Sequence, residues 1–305
     1  MFPIASIAHV VLALLLAPLL PGVINRTKAW FAGRRGPRLA QTYFDLWKLL
    51  HKGAVYSRTT NWVFAAGPIV GLACVVTAML IVPLGGVPGF LAFSGDFLLL
   101  ACLLGLMRFF TVIAALDTGS SFEGMGGSRE VFFSALAEPA MLLGLTALAA
   151  SSQSLSLSSI YALIGTQASL SSAGPAMLLV AAALGIVFLT ENARIPIDDP
   201  NTHLELTMIH EVMVLDHGGP DLAMIEYGSA VKLWVLGALL VGIVVPVRSG
   251  HGAVDLLAGV GGMVLLAVFT GVVESTMARL KLLRVPQFLV AAAVLSILAL
   301  VLVMR

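Results

Sequence analysis

The chain has 305 residues, of which 59% are hydrophobic and 11% are charged. This apolar share exceeds the roughly 45–50% of a soluble domain, so the composition excludes an ordinary water-soluble fold. The net charge of +1 gives no indication of a nucleic-acid partner or of an acidic substrate. We therefore expect a single membrane domain that covers residues 1–305 and is surrounded by the lipid bilayer.

Eight segments are apolar over the length of about 20 residues that a helix needs to cross a bilayer. They predict an all-α, polytopic fold, and the first segment reads as a retained helix because no basic residue precedes it, as one would in a signal peptide. The two cysteines are too few for a disulfide framework, a zinc site or an iron–sulfur cluster, so we expect no cofactor on this chain. The predicted segments are 4–23, 62–84, 90–116, 131–150, 174–190, 229–247, 253–273 and 286–304.

The connections between these segments differ in charge. Thirteen of the 17 basic residues fall in 24–61, 117–130, 191–228 and 274–285. Short connections rich in Lys and Arg stay in the cytoplasm, so these four are predicted inner loops, with both termini on the outer side of a prokaryotic plasma membrane. The connection 151–173 is Ser-rich and uncharged, which predicts a solvated outer loop without chemistry.

Residues 38–51, within the first inner loop, form a predicted amphipathic helix. Leu39, Tyr43 and Leu50 recur at helical spacing, while Asp45 and Lys48 fall on other faces. The segment is too polar to span the membrane. It either lies in the membrane interface or covers the inner surface of the protein.

Ionisable residues within apolar helices are costly, and each is therefore a functional hypothesis. Glu130, Ser134 and Glu138 share one stripe of the predicted fourth helix, which can line a hydrated proton path. Alternatively, Glu130 is interfacial and pairs with the adjacent Arg129. Arg108 lies in the third helix and needs a carboxylate partner, such as Glu138 or Asp117.

The inner loop 191–228 holds half of all acidic residues and one basic residue, Arg194. Clustered carboxylates raise one another's proton affinity, and His203, His210 and His217 titrate near neutral pH, so the loop can hold exchangeable protons. The alternative is a solvated acidic loop that contacts a partner. The three histidines lie about 10.5 Å apart along a helix, too far for one metal ion.

Four stretches resemble the complex I subunit 1 family, the NuoH-like membrane proteins of NADH-quinone oxidoreductases. They are RRGPRLAQTYFDLWKLL (34–50), MRFFTVIAALDTGSSFEGMGGSREVFFSALAEP (107–139), ENARIPIDDPNTHLEL (191–206) and ESTMARLKL (274–282). The LDTGS and SRE strings and the short first loop are most similar to the membrane subunit of formate hydrogenlyase and of group 4 membrane-bound [NiFe] hydrogenases.

The resemblance implies an eight-helix subunit without catalytic residues, placed between a peripheral redox arm and antiporter-like membrane subunits. The implied partners are hydrogenase large and small subunit-like proteins and an iron–sulfur subunit, which would carry the [NiFe] centre and the clusters. The first loop lacks the stretch that in complex I forms part of the entrance to the quinone chamber, which puts quinone binding in doubt. The alternatives left open are a quinone-chamber subunit of a complex I-like oxidoreductase and a stand-alone secondary ion transporter.

The residues and the resemblance together give three sets of candidate site residues. Where complex I members carry further glutamates, this chain has Asn201 and His203, so its histidines would replace carboxylates as proton carriers. The proton-path and coupling set is Glu130, Glu138, Glu191, Asp198, Asp199, His203, Glu205, His210, Glu211 and Asp216. The charge partners are Arg108, Asp117, Arg129, Arg194, Lys232, Glu274 and Arg279. The docking loop comprises Arg34, Arg35, Gly36, Pro37, Gln41, Asp45 and Lys48.

Overall fold

A computed structural model describes residues 4–167, 174–198 and 209–305. In these ranges the chain is helical and forms no β-strand, which confirms the predicted all-α fold. Short 3₁₀ turns cover Glu211–Val214 and Leu282–Arg284. The helices are α1 (Ile4–Leu16), α2 (Leu19–Phe31), α3 (Gln41–Leu50), α4 (Trp62–Ile81), α5 (Asp96–Asp117), α6 (Ser121–Ser152), α7 (Leu157–Gln167), α8 (Gly174–Glu191), α9 (Gly219–Val244), α10 (Gly252–Thr276) and α11 (Val285–Val303).

Seven of the described helices are long and apolar enough to cross a membrane, and the pair α1 and α2 makes an eighth span if it is counted as one. This pair is bent by 50°. Pro18 lies in the break and has no N–H to donate to the carbonyl of Leu14. The hydroxyl of Tyr227 supplies that hydrogen bond instead, at 3.0 Å, so the bend is fixed by a contact with α9.

Two helices begin about ten residues before the predicted spans, at their inner ends. Helix α6 begins at Ser121 rather than at 131, and α9 begins at Gly219 rather than at 229. Segments predicted as inner loops are therefore the first turns of these helices. The polar side chains in those turns, such as Glu123 and Asp221, are buried against the rest of the protein rather than exposed to water.

The prediction of a solvated loop over 151–173 is wrong for its central part, which forms α7. Leu157, Ile160 and Tyr161 of α7 are almost fully buried in the main core. Asp96 accepts hydrogen bonds from the backbone N–H of Leu157 at 2.7 Å and from the hydroxyl of Ser156 at 3.0 Å. A carboxylate in this position satisfies the free N–H groups at the start of a helix, which explains why Asp96 is buried.

The predicted amphipathic helix is present as α3, which packs against α9 and α2. None of its residues is buried, and Phe44, Trp47 and Leu50 are each more than half exposed. An apolar face left open at this end of the bundle is available to lipid or to a partner protein.

Helix α9 lies at the centre of the bundle. It packs against α4, α8 and α10 as well as α3. Most residues of its apolar stretch are buried inside the protein. Trp234 and Val235 are almost completely enclosed. Lys232 of α9 is therefore surrounded by protein rather than by lipid.

Gly126 allows the turn Glu211–Val214 to lie directly against α6. A Cβ at this position would overlap the side chain of Val212 and would lie 3.0 Å from the backbone oxygen of Ile209. We expect Gly126→Ala to lower the free energy of unfolding by about 1–3 kcal/mol, as overpacking does. Thermal unfolding of the purified chain in detergent measures the effect. Gly124→Ala is the matched control, because its Cβ would lie at an ordinary 3.8 Å from Leu116, and equal stabilities for the two variants would contradict the prediction.

Candidate functional site

Arg108 lies at the centre of a buried ion cluster that joins three helices. Its Nε lies 3.2 Å from Oε1 of Glu130, and its Nη2 lies 2.5 Å from Oε1 of Glu191. Its Nη1 donates to Glu138. The guanidinium of α5 thus holds two carboxylates of α6 and one of α8, with only 10% of the Arg108 side chain exposed.

Lys232 of α9 adds a second cation to this cluster. Its Nζ lies 3.5 Å from Oε2 of Glu191, the oxygen that does not face Arg108. Three carboxylates therefore share two permanent cations. In a buried cluster of this kind, a change in the charge of one group acts strongly on the others, because the surrounding dielectric constant is low.

His210 extends the cluster towards the inner loop. Its Nε2 lies 3.3 Å from Oε2 of Glu130, and its Nδ1 lies 4.0 Å from Oδ2 of Asp198. The imidazole therefore lies between a membrane carboxylate and a loop carboxylate. His210 thus connects the Arg108 cluster to Asp198.

Asp198 holds the two ends of the inner loop together. It accepts hydrogen bonds from the backbone N–H groups of Ile209 at 3.1 Å and His210 at 3.3 Å. Its other oxygen accepts a bond of 2.7 Å from Arg279, which lies beyond α10. One carboxylate thus connects the end of α8, the turn before α9 and the segment before α11.

A second ion cluster is built around Glu274, whose side chain is completely buried. Nζ of Lys28 lies 2.8 Å from its Oε2, and Nη1 of Arg194 lies 3.4 Å from its Oε1. This cluster joins α2, α10 and the segment after α8. It uses residues from two of the motifs, ENARIPIDDPNTHLEL and ESTMARLKL, that lie about 80 residues apart.

The structure brings five of the ten predicted coupling residues together around Arg108, namely Glu130, Glu138, Glu191, Asp198 and His210. Asp117 is not a partner of Arg108. It lies at the end of α5 and accepts hydrogen bonds from the backbone and side-chain amides of Asn61 at 2.6 and 2.8 Å. Glu130 pairs with Arg108 and His210, whereas the alternative considered from the sequence was an interfacial pair with the adjacent Arg129. Asp199, His203 and Glu205 lie outside the described residues.

Two further predicted residues, Glu211 and Asp216, lie in the part of the inner loop just before α9. Glu211 begins the 3₁₀ turn that packs on α6. The backbone N–H of Asp216 donates to Glu123 at 3.2 Å. Both residues therefore help to seat this turn on α6, next to the Arg108 cluster.

The two carboxylates of α6 differ in exposure, and the one nearer the middle of the helix is the more exposed. Glu138 lies deeper along the helix, yet 38% of its side chain is exposed, compared with 9% for Glu130. Glu138 contacts Arg108 from the side of the bundle that other protein atoms of this chain do not cover. The cluster is therefore open on one side, where lipid or a neighbouring subunit can lie beside α5 and α6.

Three residues in these arrangements are not predicted by the sequence. Glu123 is 1% exposed and accepts a hydrogen bond from the backbone N–H of Asp216. Lys28, which the sequence assigns only to the positive inner surface, faces Glu274. Asp221 is 6% exposed, although a loop position suggests full hydration. Their signal in the sequence is weak because each lies among the polar residues of a predicted loop.

The predicted docking loop forms an exposed, basic surface beside α3. Arg34, Arg35 and Lys48 are exposed, and Gly36 has a left-handed backbone with φ of +64°. The turn that leads into α3 requires this conformation, which favours glycine. Within α3, the amide of Gln41 donates to Asp45 at 2.9 Å. Pro37 follows Gly36 directly in this turn.

No group of three or more His, Cys, Asp or Glu is placed to hold a metal ion in the ranges 4–167, 174–198 and 209–305. The carboxylates of the Arg108 cluster are instead bound to cationic side chains. Carboxylates, a histidine and cationic side chains buried together in this way are the kind of groups that form ion or proton pathways in membrane proteins.

Comparison with known proteins identifies the family. The model of the NADH dehydrogenase family matches residues 4–304. Formate hydrogenlyase subunit 4 of Escherichia coli (strain K12) is 30% identical over 272 residues, which are 87% of each chain. Hydrogenase-4 component C of the same organism is 29% identical over 290 residues, which are 92% of this chain and 90% of the relative.

A solved structure shows the same fold. It is described as the membrane-bound sulfane sulfur reductase, an archaeal respiratory membrane complex, and one of its chains superposes with a TM-score of 0.80 at 20% identity. The superposition covers 97% of this chain and 98% of that chain. These findings confirm the resemblance carried by the four motifs. The chain is a multi-pass membrane protein that belongs to the NADH dehydrogenase family, in the group of complex I subunit 1.

Proposed function

We propose that this chain is the membrane anchor and coupling subunit of a formate hydrogenlyase-like or hydrogenase complex built from several subunits. Redox chemistry in a peripheral arm drives the movement of protons, or of sodium ions, through the membrane part of that complex. The names of the two relatives, a formate hydrogenlyase subunit and a hydrogenase component, support this assignment. The chain itself carries out no redox step.

The observation that carries the proposal is a series of neighbouring ionisable groups, each within 4.0 Å of the next, from the inner loop into the bundle. It leads from Asp198 through His210 to Glu130, and from there through Arg108 to Glu138 and Glu191. A charge change at the inner surface alters the proton affinity of the next group, because the groups interact over a few ångström in a medium of low dielectric constant. A peripheral arm that moves the loop at Asp198 can thus change the protonation of Glu138.

The partners follow from the two open surfaces of the chain. The hydrogenase large and small subunit-like proteins and the iron–sulfur subunit dock on the basic inner loops, with α3 as part of the platform, and they carry the [NiFe] centre and the clusters. The antiporter-like membrane subunits lie beside the exposed side of Glu138 and receive the proton or the conformational change. Both termini of the chain lie on the outer side of a prokaryotic plasma membrane, with the loops 24–61, 117–130, 191–228 and 274–285 inside.

Replacing Glu138 with glutamine, or Asp198 with asparagine, should abolish coupled ion translocation while the complex still assembles. The neutral side chains keep the size and most hydrogen bonds but cannot release a proton at neutral pH. Membrane vesicles that contain the whole complex are assayed for electron transfer and for ion movement in the same preparation. Glu226→Gln is the matched control, because Glu226 of α9 belongs to neither ion cluster. Normal turnover with normal translocation in both variants would overturn the proposal.

A further inference from the structure

Helix α3 runs along the inner half of α9. The hydroxyl of Tyr43, near the start of α3, donates to the carbonyl of Leu15, and Tyr227 of α9 donates to the carbonyl of the preceding residue at 3.0 Å. At the other end, the backbone of Gly53, just after α3, lies against Gly219, the first residue of α9. Helix α3 and the first two turns of α9 therefore lie side by side and antiparallel over about 12 Å.

This packing places α3 at the depth of the inner leaflet. Leu15 lies near the middle of the first span, which α1 and α2 form together over residues 4–31. Helix α4 has 20 residues, which is just enough to cross the hydrocarbon layer, so its first residue, Trp62, lies at the inner boundary of that layer. Because α3 packs lengthwise on the bundle between these two levels, its exposed side faces the surrounding lipid.

The exposed side of α3 carries an ordered stripe of side chains. Phe44, Trp47, Lys48 and His51 are exposed and lie on one face, since they are spaced three or four residues apart. We call these four residues the α3 stripe. The ring of His51 packs on that of Trp47 with centroids 4.4 Å apart, and its Nδ1 donates to the Trp47 carbonyl at 2.8 Å. Phe44 lies at the deep end, and Lys48 lies about 6 Å nearer the inner surface.

Tryptophan marks the level at which the α3 stripe meets the membrane interface. The chain has four tryptophans, of which Trp234 is buried in the core. The other three are 67–76% exposed and lie near the end of α2, within α3 and at the start of α4. Exposed tryptophans concentrate at the level of the lipid headgroups. Trp30, Trp47 and Trp62 therefore mark this level on three successive helices.

The charge around the α3 stripe is almost entirely positive. Residues 24–61 contain eight basic residues and one acidic residue, Asp45. Asp45 interacts with Glu226 of α9, so it lies on the packed side of the helix. Lys48 and Lys52 are exposed and form no ion pair within the part of the chain that the structure describes. Their charges therefore attract an anionic group from outside the chain.

We propose that the α3 stripe binds an anionic phospholipid of the inner leaflet. The acyl chains lie along Phe44 and Trp47. The phosphate is bound by Lys48, with Lys52 close to the headgroup. Basic clusters beside a membrane span attract anionic lipids, and the order of apolar and cationic residues along the stripe matches the order of acyl chain and phosphate in the leaflet. A soluble acidic protein would match the lysines but would not reach Phe44.

This lipid site goes beyond the proposed function, because it requires neither a redox arm nor the movement of ions. The peripheral subunits dock on the loop before α3, which lies at the inner end of the bundle, whereas the α3 stripe faces sideways. One element thus has two kinds of neighbour, and the lipid fixes the depth of the platform on which the redox arm is seated.

Photoactivatable lipids test the site in the whole complex. The complex is reconstituted in nanodiscs that contain phosphatidylglycerol or phosphatidylcholine, each with the same diazirine-labelled acyl chain, and cross-linked peptides are mapped by mass spectrometry. Phosphatidylglycerol should cross-link to residues 44–47 at least about fivefold more than phosphatidylcholine, since one basic residue near the membrane surface contributes about this factor. Equal yields for the two lipids would overturn the proposal.

Variants of one lysine show whether charge on the α3 stripe is responsible. Lys48→Gln should lower the preference for phosphatidylglycerol about fivefold, whereas Lys48→Arg keeps the charge and should retain it. Lys281→Gln is the matched control, because Lys281 is exposed and lies outside α3, just before the turn Leu282–Arg284. A preference that is the same in Lys48→Gln as in the unsubstituted chain would overturn the assignment of the phosphate to this residue.

Two further arms separate a phospholipid from other occupants of the α3 stripe. Excess inorganic phosphate should leave the cross-linking yield unchanged, because the acyl chains contribute to binding of the lipid. Competition by inorganic phosphate would mean a site for phosphate alone and would overturn the proposal. Cross-links to residues 44–47 in the isolated chain but not in the complex would show that another subunit covers the stripe, which would also overturn it.

Discussion

Replacing Arg108 with methionine is expected to lower the free energy of unfolding by about 3–5 kcal/mol, the cost of leaving buried charges without their partner. Arg108 is bound to Glu130, Glu138 and Glu191. Without it, Lys232 faces a cluster with an excess of negative charge. The carboxylates must take up protons or admit water, and either response weakens the contacts between α5, α6 and α8. Thermal unfolding of the purified chain in detergent measures the loss.

Two comparisons make this result specific to the ion cluster. Arg58→Met, at an exposed position, is the matched control and should change stability by less than about 1 kcal/mol, as surface charges do. Adding Glu191→Gln to Arg108→Met removes one of the unpaired charges. The double variant should therefore be more stable than the sum of the single losses predicts, with a coupling of about 0.5–3 kcal/mol. Strict additivity would mean that Arg108 and Glu191 do not interact in the folded protein.

The sequence alone predicts which residues form the ion clusters better than it predicts their partners. Arg108 and Glu138 stand out because a charge in an apolar helix is costly, and this signal is independent of the fold. The partner of Arg108 depends on which helices are neighbours. Asp117 is nearer in the chain, yet Glu191 of α8 is the residue that packs beside Arg108.

Helix ends and short helices are the least predictable parts of this fold. The serines around α7 give this segment the composition of a loop. Leu157 and Tyr161 are buried because α7 packs against α9, which the local sequence does not indicate. The first turns of α6 are hidden in the sequence because Gly126 and Glu123 are unusual in an apolar span. Gly126 allows the turn Glu211–Val214 to lie close to α6. This contact joins distant parts of the chain, so a local sequence pattern cannot predict it.

The clusters place the charged residues where they connect separate parts of the chain. Arg108 joins α5, α6 and α8, whereas Glu274 joins α2, α10 and the segment after α8. The two clusters meet at the end of α8, since Glu191 belongs to the first and Arg194 to the second. This short segment therefore contacts both clusters and links the inner loop to the buried carboxylates.

Glu274→Gln is expected to cost about 3–5 kcal/mol in the free energy of unfolding, because it removes the carboxylate that faces Arg194. The side chain of Glu274 is completely buried, and Arg194 is 9% exposed. Lys28→Met should cost less, because 23% of the lysine side chain is exposed and Arg194 still faces the buried carboxylate. Thermal unfolding in detergent ranks the two variants, and a larger loss for Lys28→Met would contradict the assignment.

A local measurement shows where the stability is lost. Trypsin cleaves after arginine when the next residue is not proline, and the bond after Arg194 is protected while that side chain is held by Glu274. In Glu274→Gln the segment after α8 should open, so cleavage at Arg194 should become faster than in the unsubstituted chain. Cleavage after the exposed Arg58 serves as the internal reference, because it should proceed equally in both proteins. Unchanged protection at Arg194 would show that the connection between α8 and α10 does not depend on this carboxylate.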